Sequence, residues 1–223
     1  NIGTTVTSWI VSMSEWGEVL KPEFFAPVLF GIGAFITMFA KSHKKKEGAE
    51  VLIGFALLFI GLSFMSGSIE PYRDAPIFSE SFRVLGQNPL LGILVGLAVT
   101  AIIQSSSASV GILQMLAING MVNWQSAVFI TLGQNIGTCI TAVLASIGMK
   151  VNAKRTTVIH LMFNIFGSIL FTVICMTTPF VSWMEALTPG NPVAQIANVH
   201  TTFNIVTTLI LLPFGNVMAR IAT

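Results

Sequence analysis

The sequence predicts an all-α integral membrane fold with an inverted internal repeat, a re-entrant helical hairpin and broken transmembrane helices. Composition is the first observation: of 223 residues only 9% are charged, with 11 Lys and Arg against 9 Asp and Glu, and mean hydropathy is +0.82. Soluble domains carry about a quarter charged residues, and disordered chains combine high charge with low hydrophobicity, so both classes are excluded. The second observation is where the charges fall: residues 84–149 hold none, and residues 156–219 hold only Glu185. Both stretches far exceed the roughly 20 residues that a spanning helix needs, so each must fold several passes. The third is a motif that occurs twice, NIGTTVTS at 1–8 and NIGTCITA at 135–142. The few basic residues sit in short loops and line no face, which argues against a nucleic-acid partner. Cys139 and Cys175 both lie in apolar runs and imply no disulfide framework.

The elements follow in order. The chain opens at Asn1 without a methionine or a signal-like basic region, so a piece of a longer chain is expected. An apolar stretch at 2–13 leads to Glu15, Trp16, Glu18 and Lys21; Pro22 then suits a first helical turn, and 23–40 reads as a span. A basic loop with Lys41, Lys44, Lys45 and Lys46 precedes a second span at 51–68. The mixed segment that follows, with Glu70, Tyr72, Arg73, Asp74, Glu80 and Arg83, reads as an interfacial helix or loop. Residues 88–121 form two apolar arms around a polar knot, each short of a full span, and are expected to enter and leave by one face. Residues 122–149 are a span broken at Gly133-Gln134-Asn135-Ile136-Gly137-Thr138. Spans at 157–177 and 193–213 complete the chain, with Arg220 just beyond. The expected organisation is a remainder of a first repeat with connecting helices at 1–87 and a second repeat at 88–223.

Charge asymmetry tests the hairpin. A single crossing at 88–121 would put the two basic loops on opposite faces, whereas re-entry puts Lys41 to Lys46, Lys150, Lys154, Arg155 and Arg220 together on the cytoplasmic side. Trp16, Tyr72, Trp124 and Trp183 then sit near the outer interface. Between the two motif copies Asn1, Ile2, Gly3, Thr4 and Thr7 recur as Asn135, Ile136, Gly137, Thr138 and Thr141. At the same offset Ser12 matches Ser146, Lys21 faces Arg155 and Gly33 matches Gly167. The helix after Asn1 ends outside and the helix after Asn135 ends inside, which is the inverted-repeat arrangement of secondary transporters.

The chemistry is concentrated in the knots. Gln104-Ser105-Ser106-Ser107-Ala108-Ser109 gathers hydroxyls and an amide inside an apolar hairpin, where polar groups persist only if buried in protein or lining a wet cavity. The second arm starts there with free N–H groups suited to an anion; the first arm ends there with carbonyls suited, with Gln104 and the serines, to sodium. His160-x-x-Phe163-Asn164 recurs as His200-x-x-Phe203-Asn204, with His and Asn on one helical face; interhelical hydrogen bonding and packing are the expected role of the histidines. Thr201 and Thr202 are expected to bond their own backbone. No acid–base pair, nucleophile or phosphate-cradling GxxxxGK[ST] is present, so an enzyme is not expected, and without a nucleotide site a gradient or a partner must drive the process. A transporter of another oxyanion or carboxylate, and a channel-like or structural membrane subunit that does not transport, stay open.

The QSSS element at 104–107, followed by Gly133-Gln134-Asn135-Ile136-Gly137-Thr138, resembles the type II sodium-phosphate cotransporter family and its bacterial members, over essentially the whole chain. The resemblance implies sodium-coupled uptake of inorganic phosphate across a bacterial cell membrane, with sodium as the coupling ion and no organic cofactor. It implies phosphate ligands at Ser105, Ser106, Ser107, Asn135, Thr138, Asn1 and Thr4, and sodium ligands at Gln104, Ser105, Ser106, Thr138 and Thr5; Asn164 and Asn204 are secondary candidates. Two departures matter. The first repeat's own QSSS hairpin belongs upstream of Asn1, so a missing N-terminal half-repeat is an expected partner, and Gln134 stands where a smaller residue is expected. Homo-oligomerisation is left open.

Overall fold

Capping residues decide where the helices begin. In the computed structural model, which describes residues 1–13, 22–69, 71 and 88–222, the chain forms α1 (Ile2–Ser12), α2 (Pro22–Phe39), α3 (His43–Ile69), α4 (Pro89–Ile103), α5 (Ser106–Ile118), α6 (Trp124–Gly137), α7 (Cys139–Ser146), α8 (Val151–Thr177), α9 (Phe180–Leu187), α10 (Pro192–Leu211), a 3-10 turn (Leu212–Phe214) and α11 (Gly215–Ile221). Asn88, Ser105, Asn123 and Asn191 each accept a backbone N–H of the helix that follows, and Pro89 and Pro192 fill first-turn positions where no N–H is needed. Asn88 Oδ1 takes two such bonds, from Leu90 at 3.1 Å and Leu91 at 3.2 Å.

Among the described residues four helical stretches are long and apolar enough to cross a membrane: His43–Met65, Trp124–Ser146, Val151–Thr177 and Pro192–Ile221. Phe24–Phe39, Pro89–Ile103 and Ser106–Ile118 are apolar but shorter. Two expected loops turn out helical. Lys44 and Lys45, exposed, and the half-buried Lys46 lie in the first turns of α3, and Lys154 and Arg155 ride on the first turns of α8, which starts at Val151 and not at 157. Long cationic side chains are good helix formers, so nothing local stops these helices at the apolar boundary. The stretch around Trp183 is likewise the short helix α9. Trp16, Lys21, Tyr72 and the mixed segment at 72–87 lie outside the described residues.

The direction of the hairpin arms follows from which residues meet. A Cβ on Gly92 would touch Phe129, one on Gly96 would strike Ile130, and one on Gly137 would strike Leu97 and Thr100. Contacts advance along both helices together, so α4 lies parallel to α6, brought close by glycines. α5 connects to α6 through a short turn and its Ser109 faces Gln134, so α5 runs back the other way. The reversal falls on Gln104, the one non-glycine residue of positive φ among those described, at φ 57 and ψ 21. A left-handed residue of this kind ends a helix in one step, and here the next residue, Ser105, already caps the following helix.

α6 is the centre: residues 126–135 are all buried. One apolar cluster joins α5, α6 and α10 through Val110, Leu113, Ala127, Ile130 and Ile196. A second joins α6, α8, α9 and α10 through Phe129, Leu132, Phe171, Phe180 and Phe203. A third ties α1, α2 and α3 to α5 through Val11, Ala26, Phe59, Leu62 and Met115. Phe24, Phe35, Met38, Phe64, Ile169 and Leu209 face outward, as lipid-facing positions do. Gln114, wholly buried on α5, donates to Ser8 O at 3.0 Å, Ser8 Oγ at 3.2 Å and Val193 O at 3.1 Å, fastening α1 and α10 to the hairpin. Gln114→Leu is expected to lower stability by about 1–3 kcal/mol, read as a drop in detergent-solubilised Tm.

Candidate functional site

The two motif copies meet. Asn1 and Thr4 from the start of α1, Asn135 and Thr138 from the junction of α6 and α7, and His200 of α10 line one cavity of about 10 Å³. That is room for a single oxygen-sized group. α1 runs parallel to α5, because Thr7 meets Ser107, Ser8 meets Gln114 and Val11 shares a cluster with Met115. It therefore runs antiparallel to α6, and the two Asn-Ile-Gly-Thr turns approach the cavity from opposite directions. The expected break at 133–138 is corrected: residues 133–137 are helical, Thr138 keeps right-handed helical angles with its N–H on Gln134 O at 3.0 Å and its Oγ1 on the same carbonyl at 2.9 Å, and the helix continues from Cys139, because glycines permit an unwound turn without requiring one.

Each motif asparagine is held by a histidine of the repeated His-x-x-Phe-Asn pattern. His160 Nε2 lies 2.9 Å from Asn1 Oδ1, and His200 Nε2 lies 3.0 Å from Asn135 Oδ1. The expected interhelical hydrogen bonding is thus found, with the motif asparagines as its partners. The first triad is closed. Asn164 Nδ2 donates to His160 O at 2.9 Å, so its Oδ1 is free to accept from Asn1 Nδ2 at 2.8 Å, which leaves Asn1 Oδ1 as acceptor for the His160 N–H. The second triad is open. Asn204 Nδ2 donates to His200 O at 2.9 Å, but Asn204 Oδ1, Asn135 Nδ2 and His200 Nδ1 are buried and have no hydrogen-bond partner. Buried polar atoms without partners are costly, so the second triad is held less completely than the first.

The serine knot lies elsewhere. Ser105 and Ser107 line a separate cavity of about 340 Å³ with Val11, Leu58, Gly61 and Met65. Ser105 Oγ caps α5 by accepting from Ala108 N at 3.3 Å, Ser107 Oγ donates to Thr7 Oγ1 at 3.3 Å, Ser106 is half-buried beside them, and Gln104 is exposed. Thr5 is buried with its hydroxyl donated to Ile2 O at 2.6 Å. Asn1, Thr4, Asn135 and Thr138 thus come together, while Gln104, Ser105, Ser106, Ser107 and Thr5 do not join them in this conformation.

Sequence reasoning missed the link between the two places. Gln134 Nε2 donates to Ser109 O at 2.8 Å and Ser109 Oγ at 2.9 Å, and Ser109 Oγ also meets Thr100 Oγ1 at 2.7 Å, so one buried amide ties α6 to both hairpin arms. The position expected to be small is large because it spans this gap. Ser109, wholly buried, is the hairpin serine that carries this load, although Ser105 to Ser107 drew the attention. The expectation for Thr201 and Thr202 is corrected too. Thr201 Oγ1 accepts from Trp9 Nε1 at 2.9 Å, and Thr202 Oγ1 donates to Met184 Sδ at 3.7 Å, because α10 is packed on both sides and its hydroxyls find partners on α1 and α9.

Comparison with known proteins gives the arrangement its relatives. The family model described as Na+/Pi-cotransporter matches residues 1–67 and 76–189. The chain is 30% identical to "Uncharacterized protein YqeW" of Bacillus subtilis over 99% of its own length and 68% of that protein. It is 27% identical to "Putative inorganic phosphate export protein YjbB" of Escherichia coli over 88% of its length, spanning 36% of that longer protein. Over 36% of its length it is 41% identical to human "Sodium-dependent phosphate transport protein 2B", covering 12% of it. No solved structure matches. A multi-pass helical chain matched by that model over most of its length, with both motif copies inside the match, belongs to the Na+/Pi-cotransporter family.

Proposed function

We propose that this chain forms the transport core of a sodium-coupled phosphate symporter built as an inverted repeat. The observation that carries the reading is the meeting of both Asn-Ile-Gly-Thr copies at one polar cavity, from antiparallel helices, inside a membrane-type helical body. Phosphate is bound by Asn1, Thr4, Asn135 and Thr138 together with Ser105, Ser106 and Ser107 as the hairpin tip and the paired turns approach each other during the cycle. Sodium takes the neutral oxygens of Gln104, Ser105, Ser106, Thr138 and Thr5, and neutralises the charge of phosphate in a core without Lys or Arg. Asn164 holds Asn1 directly, and Asn204 bonds the backbone of His200, whose ring holds Asn135. Each ligand then favours the other's binding by the same factor.

The repeat reading has a support in packing. Val11 and Ala26 share a cluster, so α2 returns from the far end of α1 and carries the chain back toward the face of Lys150 to Arg155, where Lys41 to Lys46 follow it. That common face, with Arg220, is taken as cytoplasmic. The name of YjbB speaks of export and that of the human protein speaks only of sodium dependence, so direction is read from oriented vesicles.

The test is binding of labelled phosphate to the intact protein, with sodium replaced by choline. Sodium-dependent binding that Ser106→Ala weakens by at least tenfold, in a protein that stays monodisperse, is the expected result. Binding that ignores sodium, or that succinate or sulfate displaces as well as phosphate, would overturn the reading.

A further inference from the structure

One buried contact fixes how the hairpin sits on the helix that carries Asn135. We propose that Gln134 is a positioning residue for sodium coupling: its amide holds the hairpin arm α5 in one register on α6, so that sodium at the hairpin tip raises the affinity of Asn135 and Thr138 for phosphate. This rests on the sodium-coupled phosphate reading above and names the residue that links its two halves.

Gln134 Nε2 donates to Ser109 O at 2.8 Å and to Ser109 Oγ at 2.9 Å, and Ser109 Oγ shares a further bond with Thr100 Oγ1 at 2.7 Å. A carbonyl oxygen only accepts, so the nitrogen of the Gln134 amide must face it and the amide cannot be turned over. All three side chains are buried. Gln134 directly precedes Asn135, and Ser109 stands four residues after Ser105, about 6 Å along the helix axis. The contact therefore sets the spacing between the hairpin tip and the motif asparagine. Val110 and Leu113 also pack between α5 and α6, yet apolar packing has no direction, whereas two hydrogen bonds from one amide to one residue hold a single register.

Stability alone does not explain the amide. Gln134 Oε1 is buried without a partner, a cost that an apolar side chain of the same length would avoid. Removing the amide strands nothing opposite it, because Ser109 Oγ keeps its bond to Thr100 and Ser109 O is a carbonyl inside α5. What the amide adds is position. Ser105 and Ser107 line one cavity and Asn135 and Thr138 another, so ions in the two places act on each other through the protein between them. With the spacing held, sodium that orders the hairpin tip also orders the tip relative to Asn135, and phosphate finds its partners already placed. Without the amide, sodium orders the tip alone.

The experiment measures the affinity of labelled phosphate for the intact protein at low and at saturating sodium. The ratio of the two is the coupling factor, and sodium affinity with and without phosphate must give the same factor. Gln134→Met, close in length and without the amide, is expected to keep Tm near the wild type and to lower that factor about tenfold. Ser109→Ala, which removes one of the two acceptors, is expected to lower it about threefold and to add little in the Gln134→Met background, as partners in one contact do. A folded Gln134→Met with the wild-type factor overturns the proposal and leaves the phosphate reading standing. A loss of phosphate affinity that is equal at both sodium concentrations does the same, since that is what a merely structural role gives. If Gln134→Met does not fold, Ser109→Ala decides, and an unchanged factor there overturns the proposal. Absence of any sodium-linked phosphate binding in the unmodified protein overturns the reading beneath it and the proposal together.

Discussion

Gly133→Ala is expected to separate the hairpin from α6. A Cβ at Gly133 would sit on the carbonyl oxygen of Ile93, with the Ile93 Cα and carbonyl carbon within 2.9 Å. These are backbone atoms, which cannot rotate aside as a side chain would. Alanine gains about 1 kcal/mol of helix propensity over glycine, and overpacking costs about 1–3 kcal/mol where side chains can adjust, so a backbone collision outweighs the gain. The whole of α4 must move off α6, taking the Gln134–Ser109 bonds with it. The measurement is Tm in detergent together with sodium-dependent phosphate binding: both are expected to fall, binding to near background. Gly3→Ala, with nothing within 4 Å of the added carbon, is the matched control and is expected to leave stability within about 0.5 kcal/mol of the wild type. A Gly133→Ala protein that melts with the wild type would show that α4 and α6 do not depend on this close approach.

Asn135→Ala is expected to abolish ligand binding with a smaller loss of stability. The change strands the His200 Nε2–H in a buried place, which costs about 1–3 kcal/mol. It also removes the amide that faces the cavity, and loss of a buried ligand contact with its partner left unpaired weakens recognition by about two orders of magnitude. Asn135→Asp separates the two roles. The carboxylate still accepts from His200, so folding is expected to survive, but it puts a negative charge where an anion's oxygen should sit, and phosphate binding is expected to stay lost. Equilibrium binding on both variants, beside their melting curves, checks this. Wild-type affinity in either variant would remove Asn135 from the site.

How much of this was legible beforehand depends on the range of the interaction. The turn at Gln104-Ser105 was readable because a polar knot between apolar arms, with a serine able to cap the next helix, is a local feature. The break expected at 133–138 is not there: α6 runs through Gly137 and Thr138 stays right-handed helical, since nothing local forces two glycines to unwind a helix that is packed on all sides. The lysines of α3 were misplaced in a loop because composition marks the apolar segment, not the helix, and a helix continues until something stops it. Gln134 was flagged as out of place with no means of seeing why. Its two bonds run to Ser109, 25 residues away, and only packing of α5 on α6 makes a long amide the right length there. Ser109 likewise looked like one more serine of the knot, yet it alone is wholly buried against α6.

By itself the sequence determined that the chain is helical and of membrane type, that it carries one motif twice, and that its polar chemistry sits at two polar stretches inside apolar runs. These are consequences of composition, charge spacing and local capping, which act over a turn or two. The tertiary structure alone decided that the two motif copies share a cavity while the hairpin serines line another. It decided too that the histidines hold the motif asparagines and that one of the two triads is closed and the other open. Each of those depends on where an amide or imidazole finds its partner across helices far apart in the chain, and a buried polar atom's state is set by that neighbour, not by the residues beside it.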